Sequence, residues 1–499
     1  MIALFDPLSS ILVGRFRLLA ASAGRPAGRI GRDYRLGSYV IDLLQLHREI
    51  PPCAIAGVIF ILSGNCVKTG GLARLIPLIA SAYDSEQMAQ TFFKVLAPRE
   101  ALRLLLAVDP VGTEKIASVK ARGRVLAEAL YSVVDLPHFH RAAMDGYAVK
   151  AKDTFGASQS LPAYLKLAGV VEMGKEATQA LNAGDAIRIS TGGMMPPEAD
   201  AVVMVEYTDE TDGGLVEIHR AVSPWQNVIQ IGDDIKKGEL VFPQGRRLRA
   251  HDLGALTGVG ISSIAVYRRP RVALISTGDE IVDADTEPRP GQVRNINQHS
   301  LAGLIEEVGG ELKDWGVIGD DRAQLTEAIG DALAWGDLVL LSGGSSMGAK
   351  DIARETILTF PDAEFIFHGI SIAPGKPTIF AKACGKPILG LPGYPVSALV
   401  IFDLFGAPLL RRLGGESVET LQRFSRTLRA KLKTNIASQL GREDYVRVTL
   451  ERQSESFIAT PLPSKSGAIF TLVKADGMVR IDMNQDGLEQ GEEVEVILF

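Results

Sequence analysis

The sequence has little cysteine and no excess of basic residues, and each shortage excludes a class of protein. Its three cysteines, Cys53, Cys66 and Cys384, form neither a paired framework nor a C-x-x-C zinc pattern, as is usual in a reducing compartment. We therefore expect a cytoplasmic protein. The net charge of −6 argues against a nucleic-acid partner, because nucleic-acid-binding domains usually present a basic face.

Long apolar runs are also missing. The most apolar segment, CAIAGVIFILSGNCV from Cys53, is interrupted at Ser63-Gly64-Asn65, well short of the ~20 residues that a membrane-spanning helix needs. The first basic residue, Arg15, follows the first apolar stretch, which is unlike a signal peptide. We expect no membrane partner.

Two common nucleotide-binding motifs are absent as well. Gly343 and Gly348 have the spacing of P-loop glycines, but Ala, Lys and Asp follow where that motif requires Lys and then Ser or Thr. No G-x-G-x-x-G opens a helix, which disfavours a dinucleotide-dependent dehydrogenase. His138 and His140 could share one face of a strand as metal ligands, but without a third soft ligand nearby we interpret them as turn residues.

What the sequence does contain is enough chain for several domains: 499 residues suffice for three or four. Residues 1–87 show no sustained periodicity and are interpreted as an N-terminal extension of unknown role. Over residues 98–131 the apolar positions have helical spacing. The predicted domains are a discontinuous first domain (88–136 and 230–268), an inserted β domain (137–229), an α/β domain (269–413) and a C-terminal β domain (414–499).

Strand and helix patterns alternate between Arg271 and Leu413. VALIST and DLVLLSGG are typical of buried strands, and NQHSLAGLIEEVGG is typical of a helix capped at Asn297. Such alternation predicts a doubly wound parallel α/β domain, which binds ligands beyond the carboxyl ends of its strands. An elongated helical and mixed first domain, a β-rich inserted domain and a small C-terminal β-barrel complete the predicted fold class.

Two of these strands end in the same chemistry. ALISTGDE and LLSGGSSMGAKD each place hydroxyls, glycine and then an acid after a buried strand. Glycine-rich turns bring backbone N–H groups to phosphate, and the paired carboxylates of Asp279 and Asp351 suit a divalent cation. The alternative is two ordinary capping aspartates. The predicted phosphate-binding residues are Ser276, Thr277, Gly278, Ser342, Gly343, Gly344 and Ser345.

Eight motifs, in order, resemble the molybdopterin molybdenumtransferase family, the bacterial molybdenum insertases. They are AAMDGYAV, ISTGGMMPPEADAVVMVE, GDDIKKGE, ISTGDEIV, SGGSSMGAKD, APGKPTIF, GLPGYPVSALV and KSGAIFTLVKADGMV, and they cover the chain from about Met88 onward. The resemblance implies a homodimeric enzyme that inserts molybdate into adenylylated molybdopterin, with Mg²⁺-dependent release of AMP. It also implies contacts with the preceding adenylyltransferase and with molybdoenzyme acceptors.

The resemblance implies roles for single residues too. Asp145 and Asp234 fall on functional positions and would be catalytic together with Asp279 and Asp351, the latter two as Mg²⁺ ligands. Thr191 falls on a substrate-binding position, and these first- and inserted-domain residues could reach the pocket from the partner subunit. Asp145 and Asp234 could equally be turn residues. The other implied substrate-binding residues are Gly375, Lys376, Pro392, Gly393 and Arg442.

Three positions depart from the family pattern. Ala373 stands where lysine is frequent, Tyr394 replaces the asparagine of GNPVS, and Ile229 or Gln230 occupies the place of an arginine. The lost positive charge predicts weaker capture of molybdate. The cations that could compensate are Lys350, Lys376, Arg442 and Lys465.

Several alternatives to the insertase function stay open. The departures leave room for a tungstate-preferring or a non-catalytic paralogue. A molybdopterin adenylyltransferase-like or nucleotide-cleaving relative is less favoured, because such relatives lack the MDGYAV and β-insert segments.

We predict that a chain beginning at Met88 folds, dimerises and keeps its activity, because residues 1–87 lie outside the resemblance and show no sustained periodicity. Size-exclusion chromatography and AMP release from the shortened and full chains would test this. An insoluble or monomeric shortened chain would contradict it.

Overall fold

The structure is a computed structural model that describes residues 95–343, 352–423, 426–463 and 465–499. The predicted N-terminal extension therefore lies outside the described residues, and so do Gly344, Ser345, Lys350 and Asp351. In the described part of the chain, no helix has the length and apolar character needed to cross a membrane.

The first described stretch contains one helix and three short strands. The helix begins with Pro98 at a position where a missing N–H costs nothing, and it buries Ala101 and Leu105. The helical spacing predicted farther along is wrong, because Ile116 lies in a strand that pairs with Ile264; pairing with a distant strand has overridden a local pattern. The elements are α1 (Pro98–Leu105), β1 (Thr113–Ala117), a 3₁₀ turn (Ser118–Lys120), β2 (Leu130–Tyr131) and β3 (Arg141–Ala142).

The inserted domain is a six-stranded sheet in the order β7-β4-β6-β5-β9-β8. Strands β7 and β8 lie at opposite edges, yet only the 3₁₀ turn Val205–Tyr207 joins them. The sheet must therefore curl into a small closed barrel, which leaves no free edge. Its elements are β4 (Gly146–Val149), a 3₁₀ turn (Ala151–Thr154), β5 (Ala163–Val170), β6 (Asp185–Ile189), β7 (Ala201–Met204), β8 (Thr208–Glu210) and β9 (Leu215–Ile218), followed by β10 (Val228–Ile229).

The chain then returns to the first domain through β11 (Leu240–Phe242), α2 (Ala250–Gly258) and β12 (Ser263–Tyr267). Strand β1 pairs with β12, and β2 with β11. One core cluster combines Leu126 from before the barrel with Leu248 and Leu256 from after it. Two separate stretches of chain thus build one hydrophobic core.

The α/β domain begins at Arg271. Its strands are β13 (Arg271–Thr277), β14 (Ile281–Val282), β15 (Val293–Arg294), β16 (Glu311–Ile318), β17 (Leu338–Ser342), β18 (Glu364–His368), β19 (Ile372–Ala373), β20 (Ile379–Ala383) and β21 (Lys386–Leu391). Its helices are α3 (Ile296–Glu307), α4 (Arg322–Trp335), α5 (Ile352–Ile357), α6 (Pro395–Ile401) and α7 (Ala407–Leu413), with a π-helical turn (Phe402–Gly406) between the last two.

Helices cover both faces of this sheet, as the doubly wound prediction requires. Successive residues of β13 point to opposite sides: Leu274 packs in a cluster with Leu301 of α3, and Ile275 in another with Ile329 of α4. Strands β16, β13, β17 and β21 are parallel neighbours. The α/β prediction is confirmed.

One strand of the sheet runs against the others. Strand β20 is antiparallel to β21, and only Cys384 and Gly385 connect them. Both residues have positive φ, 51° and 72°, as in the two-residue hairpin turns that match the twist of paired strands. So short a connection forces antiparallel pairing, and the sheet is therefore mixed at this side.

The C-terminal domain is a closed β-barrel, as predicted. Strand β24 pairs with both β25 and β26, so that the strands in the order β24-β25-β22-β28-β26 complete a ring. The elements are α8 (Val418–Arg423), β22 (Thr427–Leu432), β23 (Ile436–Ala437), β24 (Glu443–Gln453), β25 (Ser456–Pro461), α9 (Phe470–Val473), β26 (Gly477–Ile481), β27 (Gly487–Leu488) and β28 (Glu493–Leu498).

A buried carboxylate connects the first domain to the α/β domain. Glu416 is fully buried, and its Oε1 accepts from Arg247 Nε at 2.5 Å while its Oε2 accepts from Arg411 Nη2 at 2.6 Å. Arg247 also donates to the carbonyls of Gly123 and Val308, each at 2.9 Å. One guanidinium thus contacts both domains, and Glu416 neutralises it.

We predict that Glu416→Gln costs roughly 1.5–3 kcal/mol of the free energy of unfolding, because it removes the buried charge that accepts hydrogen bonds from two partly buried guanidiniums. The matched control is Glu493→Gln, whose carboxylate is 58% exposed in its ion pair with Arg429 and should contribute about 0–1 kcal/mol. Urea unfolding of both variants would measure the difference. Equal stability of the two variants would contradict the prediction.

Candidate functional site

The carboxyl ends of three parallel strands lie side by side. Ser276 of β13 is in register with Ser342 of β17, which is in register with Leu391 of β21. The residues that follow these positions therefore meet at one edge of the sheet. They are Thr277, Gly278, Gly343, Pro392 and Gly393. The structure brings together all the predicted strand-end residues that it describes.

Two asparagines at the start of α3 connect these strand ends. Asn295 Nδ2 donates to Ser276 Oγ at 2.9 Å. Asn297 Nδ2 donates to Ser342 Oγ at 2.8 Å and to the carbonyl of Gly393 at 3.0 Å. A single amide thus links the end of β17 to the loop after β21.

The predicted helix cap was assigned to the wrong asparagine. The cap of α3 is Asn295, whose Oδ1 accepts from the N–H of Gln298. Asn297 lies inside the first turn, where asparagine is a poor helix former, because its side chain is used between the strands. That mismatch of residue and position is the sequence signal that could have revealed its role.

Glycine is required where the loops approach one another. Gly343 has φ 98°, and a Cβ there would lie 2.3 Å from the carbonyl oxygen of Thr277. A Cβ on Gly375, at φ 117°, would lie 2.3 Å from Ile401. Any larger residue would push the backbones apart, so both positions depend on the absence of a side chain.

Two buried polar atoms at this edge have no hydrogen-bond partner among the described residues, which leave out 344–351. They are Thr277 Oγ1 and Asn297 Oδ1, on residues that are each 6% exposed. The orientation of the Asn297 amide follows from its neighbour, because the Gly393 carbonyl can only accept and must face Nδ2. An unsatisfied buried polar group costs about 1–3 kcal/mol, so a ligand that supplied the missing partners would gain that energy.

Acidic residues surround the same edge. Asp279 is exposed after β13, and its Oδ1 accepts from the N–H of Asp320, which follows β16, at 2.9 Å. Glu280, which the sequence analysis did not single out, folds its carboxylate toward Gly278, within 2.8 Å of where a Cβ would stand. Carboxylate and hydroxyl oxygens are the ligands that Mg²⁺ prefers, so the residues present fit that ion. The second predicted ligand, Asp351, lies outside the described residues.

The predicted cations differ in their surroundings. Lys376 is exposed. Arg442 makes a double contact with Asp444, Nε to Oδ1 at 2.7 Å and Nη2 to Oδ2 at 3.2 Å, so its charge is already compensated. Ala373 is in register with Asp444 in the β19–β24 pair. An ion pair therefore lies next to the position where the family pattern has a lysine.

A second group of predicted residues lies on other domains. Asp145 Oδ1 accepts from both the N–H and the hydroxyl of Thr191, at 2.7 and 3.0 Å. These two hydrogen bonds hold the pKa of Asp145 below its usual value. Asp234 is exposed, and its N–H donates to the carbonyl of Leu136. Asp145 and Thr191 are thus brought together at the inserted barrel, and Asp234 lies in the first domain.

The two turn histidines, His138 and His140, pack against neighbouring aromatic rings. His140 Nδ1 accepts from the N–H of Ile231 at 3.2 Å, and its ring lies 4.9 Å from that of Trp225. Within the described residues, three potential ligands come within 4.8 Å of one another only at Asp209, Glu217 and His219. That trio is on the inserted barrel and not at the strand ends.

Comparison with known proteins matches three regions of the chain to family models. Residues 96–260 match the MoeA N-terminal region (domains I and II), residues 273–412 a probable molybdopterin-binding domain, and residues 429–499 the MoeA C-terminal region (domain IV). The chain is 32% identical over 393 residues to the molybdopterin molybdenumtransferase of Haemophilus influenzae, covering 78% of this chain and 95% of that protein.

Further relatives support the same match. A Methanocaldococcus jannaschii protein named for molybdopterin biosynthesis is 38% identical over 392 residues, which cover 76% of this chain and 91% of that protein. A crystal structure of a molybdopterin biosynthesis MoeA protein from Pyrococcus horikoshii OT3 superposes with a TM-score of 0.71 at 33% identity, covering 81% of this chain and 100% of that one.

We predict that Thr191→Val raises the pKa of Asp145 toward its ordinary value, because the hydroxyl hydrogen bond is lost while the backbone one remains. A lowered carboxyl pKa stabilises the fold above the unfolded-state pKa, and this contribution disappears as pH falls through the folded-state pKa. The Thr191→Val variant should lose this stabilising contribution at a higher pH than the wild type does. NMR titration of the carboxyl carbon measures the shift, with Thr326→Val as control, since that hydroxyl donates to the carbonyl of Arg322. An unchanged pKa would contradict the prediction.

Proposed function

The chain belongs to the molybdopterin molybdenumtransferase family and is an enzyme of molybdenum cofactor biosynthesis, and from this we propose that it inserts molybdate into adenylylated molybdopterin with Mg²⁺-dependent release of AMP. The observation that carries the proposal is the meeting of three strand ends near two buried polar atoms, Thr277 Oγ1 and Asn297 Oδ1, for which the described part of the chain supplies no partner. A substrate with both phosphate oxygens and amine N–H groups would supply a partner for each.

The strand ends would bind and orient the substrate. The Thr277 hydroxyl can donate to a phosphate oxygen, and Asn297 Oδ1 can accept from an N–H of the organic part. Asn297 also holds Ser342 and Gly393 in place through its Nδ2. The ligand would therefore meet groups whose positions are already determined by buried hydrogen bonds, so little ordering is needed on binding.

Asp279 would hold the cation. The N–H of Asp320 donates to Asp279 Oδ1 and so orients the carboxylate. The other oxygen, Asp279 Oδ2, is the proposed metal ligand, together with Asp351. Mg²⁺, when bound, would neutralise charge that develops on the phosphates as water cleaves the anhydride and AMP leaves.

Asp145, Thr191 and Asp234 would act from the other subunit of a homodimer. What supports this is that all three are exposed and that their hydrogen bonds stay within their own domains. Thr191 lowers the pKa of Asp145, which suits a carboxylate that stays charged and accepts a hydrogen bond.

One observation favours weak capture of the oxyanion. The charge of Arg442 is compensated by Asp444, which is in register with Ala373. Lys376 and Lys465, both exposed, would then be the candidate cations of the described residues that receive molybdate. A high concentration of molybdate at half-saturation would follow.

We predict that Asp279→Asn lowers molybdate-dependent AMP release roughly a hundredfold or more, because it removes a metal-binding charge. The fold should be unaffected, since the side chain is exposed and leaves no cavity. The control is Asp331→Asn, an exposed aspartate of α4. AMP release would be titrated with molybdate and with tungstate, at several Mg²⁺ concentrations.

Near-normal turnover in the Asp279→Asn variant would show that Asp279 is not a metal ligand. Absence of AMP release from the wild-type chain with either oxyanion would remove the proposed reaction.

A further inference from the structure

Tyr394 is a large aromatic residue left in solvent at the rim of the site. It is 68% exposed and directly follows Gly393, whose carbonyl accepts from Asn297 Nδ2 at 3.0 Å. A Cβ on Gly393 would lie 3.7 Å from the Cα of Gly343, and one on Gly467 would lie 3.7 Å from Cδ1 of the tyrosine ring. The ring therefore lies between the strand-end loops and a loop of the C-terminal domain.

The residue type is unexpected for this position. Tyr394 is the N-cap of α6, where Asn, Asp, Ser and Thr are preferred because their side chains accept from the first N–H groups. Its side chain makes no such bond. The N–H of Val396 donates instead to the carbonyl of Ser466, at 3.1 Å. Residues that break a local rule without a stabilising gain occur mainly at functional sites.

A buried acceptor lies next to the residue that precedes Tyr394 in the chain. Asn297 is 6% exposed, its Nδ2 donates to the carbonyl of Gly393, and its Oδ1 has no partner among the residues that the structure describes. A ligand over Gly393 would thus meet an aromatic face and an oxygen that needs a donor. A planar heterocycle with an exocyclic amine satisfies both, because its face stacks on an aromatic ring and its N–H groups donate to an amide oxygen.

We propose that Tyr394 and Asn297 form the heterocycle subsite of this enzyme. The ring of Tyr394 stacks on an amino-substituted fused heterocycle, and Asn297 Oδ1 accepts a hydrogen bond from its amine. This inference rests on the proposed function, in which the substrate carries two such heterocycles, a pterin and an adenine. The subsite determines which part of the substrate lies over Gly393.

The test is equilibrium binding of AMP and, separately, of neopterin to the full chain by isothermal titration calorimetry. Tyr394→Phe keeps the ring and should bind within about twofold of wild type. Tyr394→Asn removes it and should weaken one of the two ligands roughly five- to a hundredfold, the range for loss of one base–aromatic stack. The ligand that is weakened identifies the heterocycle. The control is Tyr164→Asn, an exposed tyrosine (56%) on the inserted barrel.

The fold should tolerate the asparagine, because asparagine is a preferred N-cap; an unchanged thermal unfolding midpoint checks this. Binding of both ligands by the asparagine variant at wild-type affinity would overturn the subsite, and so would a wild-type chain that binds neither ligand at millimolar concentration. A phenylalanine variant as weak as the asparagine variant would overturn stacking in favour of the hydroxyl.

These outcomes are separable from those of the proposed reaction. If the wild-type chain releases AMP and the Tyr394→Asn variant binds both ligands normally, only the subsite proposal is contradicted. If the wild-type chain releases no AMP but its ligand binding still depends on Tyr394, the subsite is supported and the proposed reaction is contradicted.

Discussion

The hydrogen bonds of Asn297 are the constraint on which the site depends. Parallel strands bring their carboxyl ends to one edge of a sheet, but the regular ladder of hydrogen bonds ends with the strands, and the loops beyond need further contacts to keep their positions. Asn297 Nδ2 bonds both Ser342 at the end of β17 and the carbonyl of Gly393 after β21. One buried amide thus connects the end of β17 to the loop after β21.

One buried side chain also connects two domains. Glu416 accepts from Arg247 and Arg411, while Arg247 also reaches carbonyls of both neighbouring domains. Because a buried charge must be paired and hydrogen-bonded, this contact has little freedom to slide. The strand ends of the α/β domain therefore keep a defined relation to the first domain, which carries Asp234.

Short-range patterns in the sequence predicted most of the α/β domain correctly. The opposite packing of Leu274 and Ile275 follows from alternation along a strand buried on both faces. The errors came from long-range partners. Ile116 pairs with β12 and not with its own helical turn. Helix α3 is capped by Asn295, because Asn297 is used between strands. The reversal of strand β20, by contrast, has a local cause, because only Cys384 and Gly385 separate it from β21.

The sequence by itself determined which chemical groups follow each strand: the hydroxyl of Thr277, the glycine at 343 and the carboxylate of Asp279 are local features of single segments. Only the tertiary structure decided which of them meet, because contacts between segments far apart in the chain are set by strand order and register. It joined Ser342, Gly393 and Asn297 through one amide, and it buried Thr277 Oγ1 and Asn297 Oδ1 where no group of the described residues bonds them. Whether a polar atom is satisfied depends on every neighbour in space, and no local pattern records that.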